Sequence, residues 1–283
     1  MTESTTRRPR GRPKSAGADE AGGTVQALDR GLTLLNALAR DGRATLTELS
    51  LGVGMPAATA HRLLATLARR GYAAFDEASQ TWSIGLQAFR VGAAFARETS
   101  LIDAARPVMR ALMEETGETA NLGLPDGDEI VFVAQIETAN PIRALFHIGA
   151  RGPMHATGIG KALLAAEERR AVETRLRRTG LAAFTPRTRA APAALFEDLD
   201  HARAAGWALD DEERHVGMRC VAAAIRNERG EAVAGVSVSG PSARFPDARV
   251  AEIGAAVRRA AQAITEAIGG ETAGALGIEA RPK

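Results

Sequence analysis

The chain has 283 residues, of which 45% are hydrophobic and 25% are charged, and its formal net charge is +2. This length suits about two domains with cores of their own, and the single cysteine, Cys220, excludes a disulfide framework or a cysteine-rich metal site. There is no apolar run long enough for a membrane span, and the polar, basic start does not resemble a signal peptide, so we expect a cytoplasmic protein.

Residues 1–23 are rich in arginine, proline, glycine, serine and threonine, which predicts a disordered basic arm. Within the arm, Arg10-Gly11-Arg12-Pro13 resembles an AT-hook core, in which Arg10 and Arg12 would enter an A·T-rich minor groove. A plain basic tail that adds phosphate contacts is the alternative.

Apolar residues at helical spacing predict two amphipathic helices after the arm. The first ends near Asp41-Gly42, and its expected core-facing stripe consists of Val25, Leu28, Leu32, Leu35 and Ala39. The second is set by Leu46, Leu49 and Val53 and ends at a glycine-rich break.

A third helix is predicted from Ala57 to Arg70, opened by Pro56 and ended by Gly71. Its apolar face holds Leu63, Leu64 and Leu67, and its other face holds Thr59, His61, Arg62, Thr66, Arg69 and Arg70. A hairpin follows over residues 72–84. Two short helices followed by a hairpin are typical of a winged helix-turn-helix, so residues 24–85 are predicted to bind double-stranded DNA. An ordinary helical subdomain with solvated charges is the alternative.

Residues 86–116 are predicted to form linker helices, one to about Glu98 and one from about Leu101, because Pro107 should break or kink the run. Beyond them, residues 117–270 predict an α+β domain with a mostly antiparallel sheet. The expected strands are 119–124, 129–136, 142–148, 207–209, 219–226 and 232–239. The expected helices are 158–166, 167–178, 192–205 and 250–268, and residues 149–153 are read as a loop and residues 271–283 as a flexible tail.

The segment from Met154 to Ala162 places two glycines where a loop enters a helix. Backbone N–H groups at such a helix start favour a negative charge, but the residues do not fit a phosphate-binding P-loop. A small carboxylate is therefore the expected guest, with a simple glycine helix cap as the alternative.

Three further features bear on chemistry. Ser237 and Ser239 alternate along a strand and so share a face, where they could bind an oxygen-rich ligand or only face water. The acidic run from Asp210 to Glu213 could be a solvated loop. The sequence shows no catalytic constellation, no cofactor motif and no histidine spacing that predicts a metal site. Cys220 could in principle be a nucleophile with His155 or His215 as its base, but a lone cysteine on an apolar strand is more often a small buried hydrophobic residue.

The chain resembles regulators of the IclR family over about residues 24–270. The resemblance in the first domain rests on Pro56-x-x-Thr59-x-His61-Arg62-Leu63-Leu64 and Arg70-Gly71-Tyr72. In the second it rests on His155-Ala156-Thr157-Gly158-x-Gly160-Lys161-Ala162, Asp210-x-Glu212-Glu213, Gly217-x-Arg219-Cys220 and Ser237-x-Ser239-Gly240-Pro241.

The resemblance implies a transcription factor with a winged DNA-binding domain, a linker helix and a GAF-like effector domain, acting as a homodimer or a dimer of dimers (a homotetramer) on a palindromic operator. By position, Thr59, His61, Arg62 and Thr66 would face DNA, with Arg62 the first choice for a guanine contact. Ala57 and Ala58 depart from the family, in which Lys or Ser is frequent.

The resemblance also implies an effector site for a small carboxylate. Its residues would be Gly158, Ile159, Gly160, Asp210, Cys220, Ser237 and Ser239. Because Asp210 would repel a bare carboxylate, it should face a hydroxyl or hydrate of the ligand. The combination is most similar to glyoxylate-responsive members. One alternative is an aromatic acid against Leu145, Phe146, Met154 and Ile159; another is an enzyme that uses Cys220, with the helical unit as an interaction module.

Overall fold

The computed structural model describes residues 25–98, 100–141 and 147–270, and the side chains of residues 93–100 are not described. The basic arm with Arg10 and Arg12, most of the strand expected at 142–148, and the expected tail at 271–283 lie outside these residues. Contacts within the chain divide it into two compact units, and the boundary along the chain falls between residues 97 and 98.

The first unit combines short helices with a three-stranded antiparallel sheet of order β1-β3-β2. Its elements are α1 (Gln26–Asp41), β1 (Ala44–Thr45), α2 (Leu46–Gly52), α3 (Ala57–Arg69), β2 (Ala73–Asp76), β3 (Thr81–Ile84) and α4 (Leu86–Glu98). The predicted helix pair and hairpin are confirmed. The short strand β1, which pairs with β3, was not predicted.

The core-facing stripe predicted for α1 is wrong. Val25, Leu28 and Leu32 are 64%, 61% and 49% exposed, whereas Leu34 and Leu38 are fully buried. Both sets fit helical spacing, because α1 is apolar on more than one side. Packing against α3 and β3 decides which side is buried, and that choice leaves an apolar face uncovered.

Local signals fix the ends of α2 and α3. The Thr45 hydroxyl accepts a hydrogen bond from the Glu48 N–H while the Glu48 carboxylate accepts one from the Thr45 N–H, which is a capping box. Pro56 stands one residue before α3, as its N-cap. Helix α3 then buries Leu64, with Leu63 and Leu67 partly buried beside the same core.

The chain after the wing is helical on both sides of residue 99, which lies outside the described residues, and Pro107 does not break the second helical stretch. Helix α4 ends at Glu98 and α5 (Ser100–Thr116) contains Pro107 in its interior. A helix tolerates an internal proline when tertiary packing outweighs the lost hydrogen bond. Here α5 packs against the sheet and last helix of the second unit, and its Met109 is fully buried.

The second unit is built on a six-stranded antiparallel sheet of order β6-β5-β4-β9-β8-β7, which confirms the predicted α+β class. Its strands are β4 (Thr119–Asp126), β5 (Glu129–Ile136), β6 (Arg151–Pro153), β7 (Ala208–Asp211), β8 (Met218–Arg226) and β9 (Ala232–Pro241). Its other helices are α6 (Gly158–Ala166), α7 (Arg169–Thr179), α8 (Pro192–Ala205) and α9 (Asp247–Ala267).

The edge of this sheet differs from the expectation. The third strand is β6, inside the segment 149–153 that was read as a loop, and it pairs with β5. His147 and Ile148, the described part of the strand expected at 142–148, are not in a strand. Three residues are too few for a sequence periodicity, so the pairing with β5 decides the strand.

Helices cover both faces of the sheet. Helix α6 lies over β8 and β9 on the face that carries Ser237 and Ser239. Val236 and Val238 point to the opposite face by alternation and are fully buried there, where α5 and α9 pack. Within the described ranges, no helix has both the length and the apolar character to cross a membrane.

Candidate functional sites

Helix α3 presents a polar face to solvent. His61, Arg62 and Thr66 are exposed and Thr59 is half-buried. The Arg62 side chain forms no hydrogen bond or ion pair with the described residues, so its guanidinium is available to a partner. His61 is held more closely, since its ring packs edge-on against Trp82 with centroids 6.3 Å apart. The Thr66 hydroxyl donates to the Arg62 carbonyl at 2.9 Å.

The first turn of α3 leaves backbone donors open. Pro56 caps the helix without a side-chain hydrogen bond, and its carbonyl accepts from Thr59 and Ala60. The N–H groups of Ala57 and Ala58 belong to the first turn, which has no intrahelical acceptor for them. Both alanines are exposed, so a phosphate oxygen can reach these donors although their side chains offer none.

Strand pairing in the second unit brings Asp210, Cys220 and Ser239 into one row. Cys220 pairs with Asp210 on one side and with Ser239 on the other, and Ser239 pairs with Thr119. Paired residues of an antiparallel sheet share a face, so these four side chains point the same way. Asp210 and Ser239 are 7% and 1% exposed, which excludes the readings of a solvated acidic loop and a wet serine face.

A second row lies beside the first on the same face. Ser237 pairs with Ala222 and Asn121. The Asn121 amide donates to the Ser239 hydroxyl at 3.3 Å, and Gln135 donates to the Asn121 oxygen at 2.8 Å. The Ser237 hydroxyl oxygen is fully buried and forms no well-aligned hydrogen bond within the described part of the chain, although it is close enough to the Cys220 thiol to oppose the rise in the pKa of that group. Together, the two rows form a buried polar surface, here called the polar rows.

Thr119 and Asn121 belong to the polar rows but were not predicted. Alternation along the predicted strand places both on one face. The residues that they oppose on β9 depend on the pairing of β4 with β9 and on its register. Local sequence does not encode either.

The start of α6 closes over the polar rows. A Cβ at residue 158 would lie 2.8 Å from the Cys220 sulfur, so only glycine allows this approach. Gly160 is equally constrained, by the Met154 backbone. The Thr157 hydroxyl accepts from the Gly160 N–H at 3.2 Å, the Gly158 N–H is directed at the Cys220 sulfur, and the first turn has no intrahelical acceptor for the Ile159 N–H.

Ile159 fills the space next to the polar rows. Added Cβ atoms at Gly123 and Gly235 would lie 3.1 Å and 2.7 Å from its side chain. Met154 is also buried in the core of this unit. Leu145 and Phe146, the other residues considered for an apolar wall, lie outside the described residues. The space between α6 and the sheet is therefore narrow on the Ile159 side.

Burial controls the ionisation of the acidic groups in the polar rows. It raises the pKa of Asp210 to about 7, and the negative charge of Glu213 adds to this, while the Glu213 N–H and Lys161 oppose it. Burial and the Asp210 charge raise the pKa of Cys220 to about 11, so its thiol is neutral at physiological pH. A neutral thiol is a poor nucleophile, and His155 is hydrogen-bonded to the Ala182 carbonyl instead.

A buried ion pair supports the loop after Asp210. Lys161 on α6 is 1% exposed and donates to Glu213 and, at 2.8 Å, to Asp198 on α8. Glu213 is also 1% exposed. Lys161 therefore ties α6, α8 and the loop that follows β7 together, and it was not predicted to have this role. Among the residues that the structure describes, no cluster of three or more His, Cys, Asp or Glu side chains could hold a metal ion.

Comparisons with known proteins match both units. The family model "IclR helix-turn-helix domain" matches residues 27–77, and "Bacterial transcriptional regulator IclR C-terminal" matches residues 93–266. The HTH-type transcriptional regulator BhcR of Paracoccus denitrificans is 49% identical over 258 residues, which cover 91% of this chain and 92% of BhcR. The acetate operon repressor of Salmonella typhimurium is 40% identical over 264 residues, or 92% and 96% of the two chains. The crystal structure of a transcriptional regulator from Rhodococcus sp. RHA1 is similar with a TM-score of 0.76, at 29% identity, over 87% of this chain and 99% of that one.

Proposed function

Because this chain belongs to the IclR family of bacterial transcriptional regulators and is not an enzyme, we propose that it binds a palindromic operator through α3 in response to a small carboxylate. The carboxylate we propose is glyoxylate, bound between the start of α6 and the polar rows. Binding there changes the affinity for the operator. We expect the protein to act in the cytoplasm, together with the DNA.

The exposed face of α3 supports the DNA-binding part of this proposal. Arg62 is free to offer its forked donors to a guanine, which is the commonest specific base contact. Thr59, His61 and Thr66 flank it, and the open amides of Ala57 and Ala58 suit a phosphate. The arginines of the basic arm, Arg10 and Arg12, would add contacts in the minor groove.

The observation that carries the effector part is the Ser237 hydroxyl, which is fully buried and, among the described residues, has only the adjacent Cys220 thiol to interact with and no well-formed hydrogen bond. An unsatisfied buried polar group costs about 1–3 kcal/mol, so native proteins rarely keep one without a reason. A ligand oxygen beside Ser237, Ser239 and Cys220 would satisfy it. The amides of Gly158 and Ile159 would then meet the carboxylate at the positive end of α6.

The dimensions and charge of the site favour glyoxylate over an aromatic acid. Ile159 occupies the space next to Gly123 and Gly235, so a ring would have to displace it. Asp210 can accept a hydrogen bond from a hydrate hydroxyl of glyoxylate, and its protonation removes the repulsion of the ligand carboxylate. The acetate operon repressor is a relative whose name places it in the metabolism of a two-carbon acid.

We also infer that the regulator is a homodimer or a dimer of dimers. A palindromic operator needs two copies of α3 related by a twofold axis. Two helices of the first unit expose large apolar side chains: Leu28 and Leu32 on α1, Leu86 and Phe89 on α4. A second copy of the chain would cover such faces and bury their apolar area.

Calorimetry tests the effector site. Glyoxylate should bind the wild type, and Ser239→Ala should weaken binding about tenfold, the loss of one hydrogen bond to a charged ligand. Ser242→Ala, three residues further along the chain, is the matched control. Equal affinity in all three proteins would rule out the site, and displacement of glyoxylate by benzoate would favour the aromatic alternative.

Operator binding tests the coupling. Glyoxylate should change the operator affinity by the same factor by which operator DNA changes the glyoxylate affinity. A glyoxylate complex with an unchanged operator affinity would leave the ligand without a regulatory role.

A further inference from the structure

The sheet of the second unit has an incomplete edge. The edge strand β7 begins at Ala208, opposite Ala222, but β8 continues to Arg226. Beyond Ala222, the residues of β8 therefore have no neighbouring strand on the β7 side among the described residues. A cavity of about 550 Å³ lies there, here called the edge cleft. It is bordered by α6 and α8 on one face of the sheet and by α9 on the other. Ligand pockets commonly have this size.

The edge cleft is positively charged. Three arginines line it, Arg203, Arg226 and Arg258, and the described residues of its lining include no acidic side chain. Arg203 is already paired with Asp200 at 2.6 Å, and Arg226 donates to the Gly230 carbonyl at 2.6 Å. Arg258 has no hydrogen bond or ion pair with the described part of the chain. The cleft thus holds an uncompensated guanidinium.

Gly206 packs against the aliphatic part of the Arg258 side chain. This glycine ends α8 in the left-handed conformation, with φ of +77°. A Cβ there would lie 2.8 Å from Cδ of Arg258, so the end of α8 and the arginine stem are in close contact. Arg258 is exposed, and this contact of its stem places the residue at the mouth of the cleft.

The remaining lining is mostly apolar, with Gln262 and Thr265 as its polar side chains. Alanines from both helix layers make the walls, and Trp207 directly precedes β7, its ring against the α9 backbone at Gly254. An aromatic body fits between alanines and an indole, and a guanidinium binds a carboxylate or phosphate with two parallel hydrogen bonds.

We propose that the edge cleft is a second ligand site, which binds a flat aromatic anion through Arg258 and Arg226 beside Trp207. This site goes beyond the proposed effector site, because the polar rows contribute no residue to it. Addition of a peptide strand is disfavoured, since the Arg226 N–H is already bonded to the Thr265 hydroxyl at 3.0 Å.

Fluorescence titration with benzoate and with phenyl phosphate tests the proposal. The chain has two tryptophans, Trp82 in the first unit and Trp207 in the cleft. Either anion should quench the wild type and Trp82→Phe saturably, but not Trp207→Phe. Tighter binding of phenyl phosphate would identify a phosphate site, and tighter binding of benzoate a carboxylate site. Benzyl alcohol, the neutral isostere, should not bind.

Arg258→Gln should weaken binding of the preferred anion at least about tenfold, which corresponds to one charge-assisted hydrogen bond. Arg259→Gln is the matched control, because Arg259 is the next residue on α9 and pairs with Glu115 outside the cleft. Saturating glyoxylate and the substitution Ser239→Ala should leave the titration unchanged, which separates this site from the effector site. The proposal is wrong if folded Arg258→Gln binds as the wild type does, if glyoxylate competes, or if neither anion binds.

Discussion

The Asp210 carboxylate accepts a hydrogen bond of 2.7 Å from the backbone N–H of Glu213, a residue whose own carboxylate pairs with Lys161. This bond favours the charged form of Asp210, but burial outweighs it and, with the Glu213 charge, raises the pKa to about 7. Asp210 therefore changes its charge near physiological pH, within the proposed effector site.

The first prediction concerns stability and pH. The pKa of Asp210 is near 4 in the unfolded chain and about 7 in the folded protein. Its contribution to the free energy of unfolding is therefore fully present below pH 4 and is lost as the pH rises through about 7. The loss should approach about 1.4 kcal/mol per pH unit between these values. Urea unfolding should show this slope in the wild type and a weaker one in Asp210→Asn. The exposed residue Asp103 supplies the control, Asp103→Asn; equal slopes in Asp210→Asn and the wild type would contradict the prediction.

The second prediction concerns effector affinity and pH. An ionised Asp210 repels the glyoxylate anion, so binding should favour the protonated form. The Kd should rise by up to about tenfold for each pH unit above about 7 and be nearly constant well below it. Calorimetry of Asp210→Asn should give a flat profile over the same range. A wild-type affinity that is independent of pH would show that Asp210 does not face the ligand.

Helices with one apolar face and clear end signals could be predicted from the sequence. Helix α8 begins with Pro192 at its first turn and ends at Gly206 in the left-handed conformation, and its predicted bounds are correct. Helix α6 is also correct. The stripe of α1 was wrong because Leu28 and Leu34 both lie on apolar stripes, and only tertiary packing selects one.

The candidate site could be predicted in part. Ser237 and Ser239 share a face by alternation, and the structure adds Thr119 and Asn121 through the register of β4 on β9. Asp210 stood in a run of charges that usually faces water. The burial of Asp210 depends on the packing of α6 and α8 around the loop that follows it, which Lys161 holds together. These segments are far apart in the sequence.

The third prediction concerns the contact between α6 and β8. Gly158→Ala places a Cβ 2.8 Å from the Cys220 sulfur, so α6 must move away from the polar rows. Glyoxylate affinity should fall by more than about tenfold, because the helix amides no longer reach the ligand. Gly52→Ala, at the exposed end of α2 with open space around it and without a positive φ, controls for a loss of glycine. Unchanged glyoxylate binding in folded Gly158→Ala would exclude these amides as ligands.

The fourth prediction concerns the buried ion pair. Lys161→Met removes the cation that faces Glu213 and Asp198 and leaves buried negative charge. Removal of one partner of a buried pair costs about 3–5 kcal/mol, so the second unit should unfold at a clearly lower urea concentration. The double variant Lys161→Met, Glu213→Leu should recover part of the loss, because it leaves one buried carboxylate fewer. If the double variant is less stable than Lys161→Met, Glu213 is held by its other contacts rather than by the pair.

The last prediction concerns the reading of DNA. Arg62 is exposed and its guanidinium has no partner among the described residues, so Arg62→Ala should leave folding intact. If Arg62 binds a base, the variant should lose about 1–3 kcal/mol of operator affinity and discriminate less at one position, with little loss for random DNA. If it binds a phosphate, affinity for both DNAs should fall and the salt dependence should weaken by about one counterion. Arg30→Ala on α1 controls for charge. Fluorescence anisotropy across a salt series separates these outcomes, and wild-type affinity for both DNAs would remove Arg62 from the interface.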